Sequence, residues 1–146
     1  VGCSESGLLR LGKGLPNGRR AAPFHWVESQ EKTRRAVAEL EEYFAGRRKT
    51  FTLPLDLRGT PFQKKVWKAL LEIPYGQTRS YGEIARRIGR PRAFRAVGMA
   101  NHWNPVAIVV PCHRVLAAGG ALGGYGGGLA MKRFLLELEQ RASRLP

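Results

Sequence analysis

The sequence predicts an α+β protein: a small N-terminal α/β lobe with a short antiparallel sheet over residues 1–57, then a mainly helical domain over residues 58–146 that carries a helix-turn-helix and a candidate reactive cysteine. Three observations carry this. Apolar residues recur at helical spacing in several separate stretches, and two of these open with a reciprocal capping pattern. Strand-like runs are few and short. The length, 146 residues, suits one domain or a small lobe leaning on a larger one, with a core that needs no staples.

The elements follow in order. GLLRLG reads as a short strand, and GLPNGRRAAP as a turn-rich connection. From Glu28 to Phe44, Val37, Leu40 and Phe44 mark the inward face of a helix that Gly46 stops. KTFTLPLDLRG alternates like an edge strand, with Pro54 barring a central one, and the lobe boundary is placed near Leu57. Thr60-Pro61-Phe62-Gln63 sets a capping box for a helix whose stripe is Phe62, Val66, Leu70 and Ile73. PYGQT is a turn. Ser80-Tyr81-Gly82-Glu83 is a second capping box, opening a short helix with Ile84 and Ile88 inward and Gly89 at its end. Pro91 starts the next helix, which turns Ala93, Val97 and Ala100 inward and leaves Arg92 and Arg95 outside. Asn104-Pro105 breaks it, Val106 to Val110 reads as a buried strand ended by Pro111, and AAGGALGGYGGG is a loop. The last helix runs from Leu129 to about Arg141 with Met131, Phe134, Leu135 and Leu138 inward.

Charge narrows the partner. The net +14 is uneven: residues 1–57 hold 10 Lys/Arg against 7 Asp/Glu, and residues 58–146 hold 15 against 4. A basic C-terminal part favours a polyanion, most often nucleic acid, because each neutralised phosphate releases counterions; the competing explanation is an Arg-rich solvated surface. The two short helices joined by Gly-Arg-Pro, ringed by Arg79, Arg86, Arg87, Arg90, Arg92 and Arg95, form either a helix-turn-helix or an ordinary basic corner. No apolar run approaches the roughly 20 residues of a membrane span and no signal-peptide pattern is present, so a soluble cytoplasmic protein is expected.

Chemistry concentrates in IVVPCHRV. A cysteine is nucleophilic only as thiolate, and a nearby histidine can draw its proton. Cys112 and His113 are neighbours, and on an extended chain they point opposite ways, so either the chain turns after Pro111 or a water bridges them. The plainer alternative is a buried structural Cys and a satisfied core His. Glu137 and Glu139 on the last helix offer a carboxylate to orient the imidazole; Glu139 sits on the flank of the apolar stripe. Cys3, His25, His102, Cys112 and His113 show no ligand-pair spacing, so neither metal nor other cofactor is expected.

These residues carry a resemblance. IVVPCHRV, with Asn104-Pro105 upstream and GGYGGGLAMKRFLLELE downstream, resembles the active-site region of the O6-alkylguanine-DNA alkyltransferases. GTPFQKKVWKALLEIPYGQTRSYGEIARRIG and RAVGMANHWNP are similar to that family's helical region, and YFAGRRKTFTLPLDLRGT to its lobe junction, so the similarity is continuous from about Tyr43 to Glu139. It implies a monomer that binds duplex DNA in the minor groove, flips out the alkylated base and moves the alkyl group from O6 of guanine, or less readily O4 of thymine, to Cys112 in one irreversible step. His113 is then the base acting through water, Glu139 its orienting carboxylate, and Tyr81 the proton donor to N3 of the leaving guanine. A place in the first turn of a helix would lower the pKa of that phenol. Arg95 matches the finger that fills the vacated stack; Arg92 joins the basic face, and Ala93, Ala96 and Gly98 are small where the helix approaches DNA. Asn104 matches a hinge asparagine, and Val115, Gly124, Tyr125 and Gly126 should line or cap the pocket.

The departures are specific. Gly126 stands where several members carry a hydroxyl residue, so any contact to O6 there is made by backbone. Trp103 is large for its position, and nothing in the sequence explains it. The N-terminal zinc ligands of some members are not reproduced. The alternatives are a non-catalytic helix-turn-helix regulator or lesion-flagging alkyltransferase-like protein, which Cys112 argues against, and a cysteine hydrolase, which would need turnover. Ala107 replaces a proline found in members that accept bulky benzyl groups. Inactivation by benzylguanine, timed against a proline-bearing relative, is therefore expected to be slower; equal rates would remove Ala107 from the specificity argument.

Overall fold

Two hydrogen-bonded capping boxes set the frame of the helical part. Thr60 Oγ1 accepts from Gln63 N at 3.2 Å while Gln63 Oε1 accepts from Thr60 N at 2.9 Å, starting α2 (Pro61–Leu71). Ser80 and Glu83 repeat the exchange at 3.2 and 2.6 Å and start α3 (Tyr81–Arg87). Each cap satisfies amide groups that helix geometry otherwise leaves bare, a contribution of about 0.5–2 kcal/mol.

The computed structural model describes residues 2–3, 8–10 and 30–144. The remaining elements are β1 (Gly2–Cys3) and β2 (Leu8–Arg10), antiparallel to each other, α1 (Gln30–Phe44), β3 (Arg79–Ser80), α4 (Phe94–His102), β4 (Val115–Leu116) and α5 (Leu129–Arg144). β3 and β4 form a short parallel pair, Arg79 against Val115 and Ser80 against Leu116. The antiparallel strands agree with the expected α+β class, with the strand in GLLRLG falling on Leu8–Arg10; GLPNGRRAAP lies outside the described residues.

The core sits where α2, α3 and α4 meet. Val66, Leu70, Ile84, Val97, Val106 and Val110 are all essentially inaccessible, and each side chain of this size contributes about 1.5–3 kcal/mol by leaving water. Trp67 Nε1 donates to Ala100 O at 2.9 Å and so fastens α2 to the back of α4. Between α3 and α4 the chain reverses through Gly89, whose φ of +73° suits glycine. Residues 51–57 run extended across the core with Phe51, Leu53, Leu55 and Leu57 inward, as their alternation predicts, although no ladder forms. Thr52 ties this strap to α1, its amide and hydroxyl donating to the buried Glu39 at 2.8 and 2.6 Å.

Four expectations are corrected. α1 buries Ala36, Glu39 and Tyr43, while Val37 and Phe44 stay about 40% exposed. α5 buries Lys132, Leu135, Glu139 and Ala142 and leaves Met131 and Phe134 outside. In both helices the hidden face contains polar residues held by hydrogen bonds, which a count of apolar positions cannot see. α4 begins at Phe94, since Arg90–Ala93 is consumed by a turn in which Ala93 N donates to Arg90 O at 2.8 Å; Ala93 becomes its half-buried cap. Residues 106–110 form no strand: they fold back on themselves, Val110 N donating to Val106 O at 2.9 Å, with Ile108 at φ +77°. Their β-branched composition reflects burial rather than pairing, and a β-branched residue with positive φ is a strained outlier.

The α5 correction is directly measurable. Leu135→Ala should cost about 2–5 kcal/mol in urea unfolding, whereas Phe134→Ala, which removes a half-exposed ring stacked on Phe44, should cost no more than about 1.5 kcal/mol. The reverse order would mean that the apolar stripe, not the observed face, packs inward.

Candidate active site

Cys112 owes its position to the fold-back before it. Asn104 clamps both ends of that segment: its Oδ1 accepts from Val106 N at 3.0 Å and its Nδ2 donates to Val110 O at 2.8 Å. The side-chain amide thus supplies the hydrogen bonds that a neighbouring strand would otherwise provide. The same Nδ2 lies 3.1 Å from Cys112 Sγ. After Pro111 the chain tightens into a 3-10 turn, Cys112–Arg114, so the adjacent Cys and His do not alternate as they would on a strand. Cys112 reaches the floor of an open cavity of about 670 Å³, and His113 turns into the protein, fully buried.

His113 meets Glu139. The Nε2 to Oε1 distance is 2.8 Å, and both side chains are buried. Glu139 does more than face one histidine. Arg114 Nε donates to its Oε2 at 2.9 Å and Nη2 to its Oε1 at 3.0 Å, Gly76 N donates to Oε2 at 2.9 Å, and Tyr43 OH donates to Oε1 at 2.7 Å. With Nε2–H spent on the carboxylate, the basic nitrogen of a neutral imidazole is Nδ1, which is buried and has no protein hydrogen-bond partner.

The electrostatics follow. Burial would raise the Glu139 pKa, but donation from His113 and Arg114 outweighs it and holds the carboxyl at about 2. Burial depresses His113 below 6.5 despite the Glu139 partner, with Arg114 and Lys132 pushing the same way. Burial also pushes the Cys112 thiol up, against opposing pulls from Asn104 and Lys132. At neutral pH the resting pair is therefore a thiol and a neutral imidazole above a fixed carboxylate.

The cavity gathers many of the residues that the sequence singled out. Tyr81, Arg95, Gly98, Gly124, Tyr125 and Gly126 line it together with Cys112. Tyr81 OH lies 3.5 Å from Gly124 O, and a Cβ at Gly123, where φ is +62°, would come within 3.1 Å of the Tyr81 ring. The phenol pKa is raised, first by burial and then by Cys112, so the expected lowering at a helix start does not occur. Arg95 is exposed on α4 with its guanidinium 5.8 Å from the Phe94 ring centroid; Arg92 and Ala96 are also exposed. Val115 is not a wall of the cavity: it is fully buried in β4, where its carbonyl accepts from Lys132 Nζ at 2.6 Å. Trp103 is exposed, its ring edge-on to His102, and nothing in the structure explains it.

Five further groups at the site were not singled out in the sequence. Arg114 was legible in outline, as a charge inside an apolar run, and it also donates to Ile73 O at 2.7 Å. Lys132 shares the phase of Leu135 and Glu139 on α5; it is fully buried and also donates to Leu122 O, tying the glycine-rich loop to β4. Tyr43 reads as an ordinary core aromatic, and the Gly76 amide has no sequence signature. Asn101 also faces the cavity, with both amide atoms buried and without a protein partner.

A buried thiol with an imidazole and carboxylate behind it, opening on a cavity walled by the second of two short helices in a helix-turn-helix, is the arrangement of a protein equipped for cysteine chemistry. Comparison with known proteins is more particular. Residues 61–141 match the family described as "6-O-methylguanine DNA methyltransferase, DNA binding domain", and residues 1–57 match "6-O-methylguanine DNA methyltransferase, ribonuclease-like domain". The chain belongs to the 6-O-methylguanine DNA methyltransferase family. It is 51% identical over 141 residues to the methylated-DNA--protein-cysteine methyltransferase of Methanosarcina barkeri, covering 97% of this chain and 89% of that one. Identity to the protein of that name from Mycobacterium tuberculosis H37Rv is 61% over 122 residues, covering 84% and 73%. The crystal structure of Mycobacterium tuberculosis OGT in complex with DNA superposes with a TM-score of 0.77 at 60% identity, covering 81% of this chain and 73% of that one.

The buried pair makes acid sensitivity predictable. Both folded pKa values lie below their unfolded ones, so both groups stabilise the fold above the unfolded value and lose that contribution as pH falls. His113 acts first, below about pH 6.5, and Glu139 then acts between about pH 4.5 and 2. Urea midpoints measured across pH should show Glu139→Gln destabilised at neutral pH and lacking the lower stage; an unchanged acid slope would mean that the carboxylate is not held ionised.

Proposed function

We propose that this protein repairs DNA by direct reversal, transferring an alkyl group from O6-alkylguanine in duplex DNA irreversibly to Cys112. The observation that carries the reading is the orphaned His113 Nδ1: a buried base, oriented by Glu139 through its other nitrogen, one residue from a thiol at a cavity floor. Family membership and the basic surface of α3 and α4 point to the same substrate.

The steps balance. Helix α4 enters the minor groove, the small Ala93, Ala96 and Gly98 permit close approach, and Arg92 helps to hold phosphates. Arg95 fills the gap as the alkylated nucleotide rotates out, a motion that costs a few kcal/mol and less at a mispaired base. The cavity is of a size to take one base between Tyr125, Gly124 and Gly126 on one side and α4 on the other. His113 Nδ1 takes the Cys112 proton through a bridging water, and the imidazolium is stabilised by Glu139. Donation from Asn104 Nδ2 favours the nascent thiolate. Sulfur attacks the alkyl carbon in line, the C–S bond forms, and the C–O6 bond breaks with its electron pair left on the guanine. Tyr81, protonated because its pKa is raised, gives a proton to guanine N3. The phenolate regains a proton from solvent while the imidazolium releases the one it took from the thiol, so that thiol and O6-alkylguanine become thioether and guanine with no net proton gained or lost. The thioether is stable, so each molecule acts once and needs no cofactor. O4-alkylthymine enters the same cavity as a poorer substrate. We take the protein to act as a monomer. Among the described residues no helix is long and apolar enough to cross a membrane, and we place the protein in the cytoplasm with the DNA.

The test is incubation with duplex DNA containing O6-methylguanine, followed by mass spectrometry of the Cys112 peptide. One methyl group per protein and restored guanine are expected; an unmodified peptide beside unrepaired DNA overturns the proposal, and product in excess of protein points to a hydrolase. Cys112→Ala should abolish transfer while retaining DNA affinity. His113→Ala should slow it by about 100-fold or more, as expected for loss of a positioned base.

A further inference from the structure

Tyr43 lies on α1, in the part of the chain that precedes the domain carrying the cysteine, yet its hydroxyl reaches the catalytic carboxylate. The side chain is wholly buried. Its OH donates to Glu139 Oε1 at 2.7 Å and lies 3.5 Å from His113 Nε2, which uses the same oxygen. The ring is wedged by Phe51, with centroids 5.4 Å apart, and by Tyr75 at 6.0 Å, edge-on. A ring so confined has no freedom to turn its hydroxyl elsewhere.

We infer that Tyr43 is a positioning residue for alkyl transfer, supplied by the N-terminal lobe, which fixes Glu139 and limits how strongly that carboxylate pulls on the His113 proton. This rests on the proposed function of Cys112. Three residues converge on one oxygen: Tyr43 OH, His113 Nε2 and the Arg114 guanidinium, through Nη2 and Nε, all meet Oε1. A donated phenol proton spreads the carboxylate charge, so less of it is available to hold a proton on the imidazole. His113 is thereby kept neutral and ready to accept the thiol proton, and the proton it accepts stays on the imidazole because Glu139 is already saturated with donors. Burial keeps the phenol protonated, so it remains a donor throughout the useful pH range. The other groups facing the pair act alongside it: Arg114 from the catalytic turn and Lys132 from α5 oppose the imidazolium, Tyr75 from the turn after α2 faces Arg114, and Cys112 lies on the cavity side.

Tyr43→Phe removes the donor and keeps the ring. Single-turnover transfer measured against pH should fall by roughly tenfold at neutral pH, as expected when a base is slightly misplaced, and its acid limb should move to higher pH because His113 becomes easier to protonate. DNA affinity should be unchanged. Phe51→Leu loosens the same ring without touching a hydroxyl, so it should lower stability and leave the acid limb in place. A Tyr43→Phe profile that superimposes on the wild type, or only scales down with no displaced limb, overturns the inference. A second readout needs neither variant nor turnover: in the unmodified protein the Tyr43 hydroxyl proton should exchange slowly enough to give an NMR resonance that shifts as His113 titrates. Absence of that response overturns the inference too. If the wild type fails to methylate Cys112 at any pH, the function proposed above falls, while the hydroxyl resonance still decides whether Tyr43 couples to His113.

Discussion

The Glu139 carboxylate is the constraint on which the rest of this molecule depends. Its two oxygens accept from Tyr43 on α1, from His113 and Arg114 in the turn Cys112–Arg114, and from the Gly76 amide in the turn after α2. One buried charge therefore joins four segments distant in sequence. Such a charge is tolerable only when it is saturated with donors, and removing one partner of a buried pair costs about 3–5 kcal/mol because the other is stranded. The geometry of the site and the packing of α1 against the rest of the chain are consequently one problem with one solution.

Chemical consequences follow from that saturation. A carboxylate held far below the usual range cannot take the imidazole proton, so His113 is oriented without being neutralised as a base. Burial meanwhile keeps the imidazole uncharged and the thiol protonated. Beyond the Arg114–Glu139 ion pair, the site thus stores no thiolate–imidazolium pair at rest. It holds the groups that will stabilise one: Asn104 Nδ2 beside the sulfur and Lys132 pinning β4 and the glycine-rich loop. Preorganised donors of this kind need no rearrangement when charge develops, which is where electrostatic catalysis gains most. A protein that reacts once has reason to keep its thiol quiet until a base fills the cavity, because a resting thiolate is the form most open to oxidation.

Much of this was legible in the chain, and the failures share a cause. The capping boxes at Thr60 and Ser80 act locally, through residues three apart, and they appear where the sequence puts them. The cysteine, histidine and glutamate were found because reactive residue types are rare and the motif around them is specific. Misplaced features are those decided by tertiary hydrogen bonds. Val106–Val110 has the composition of a strand, but Asn104 satisfies its backbone and lets it curl. Lys132 and Glu139 occupy the inner face of α5 although a hydropathy pattern assigns that face to Met131 and Phe134. Tyr43 gives no sign of its role, since only the fold brings its hydroxyl to a carboxylate almost a hundred positions away. The helix-start argument for Tyr81 was sound locally and was outweighed by burial.

The central claim is that the reactive pair rests neutral, with charge arising only on reaction. Thiolate ultraviolet absorbance, followed against pH in the free wild-type protein and compared with Cys112→Ala, tests it most directly. No Cys112 thiolate signal is expected at neutral pH, with ionisation only above the ordinary cysteine range. A signal already present near neutrality while His113 is still protonated would show a standing thiolate–imidazolium pair and contradict it.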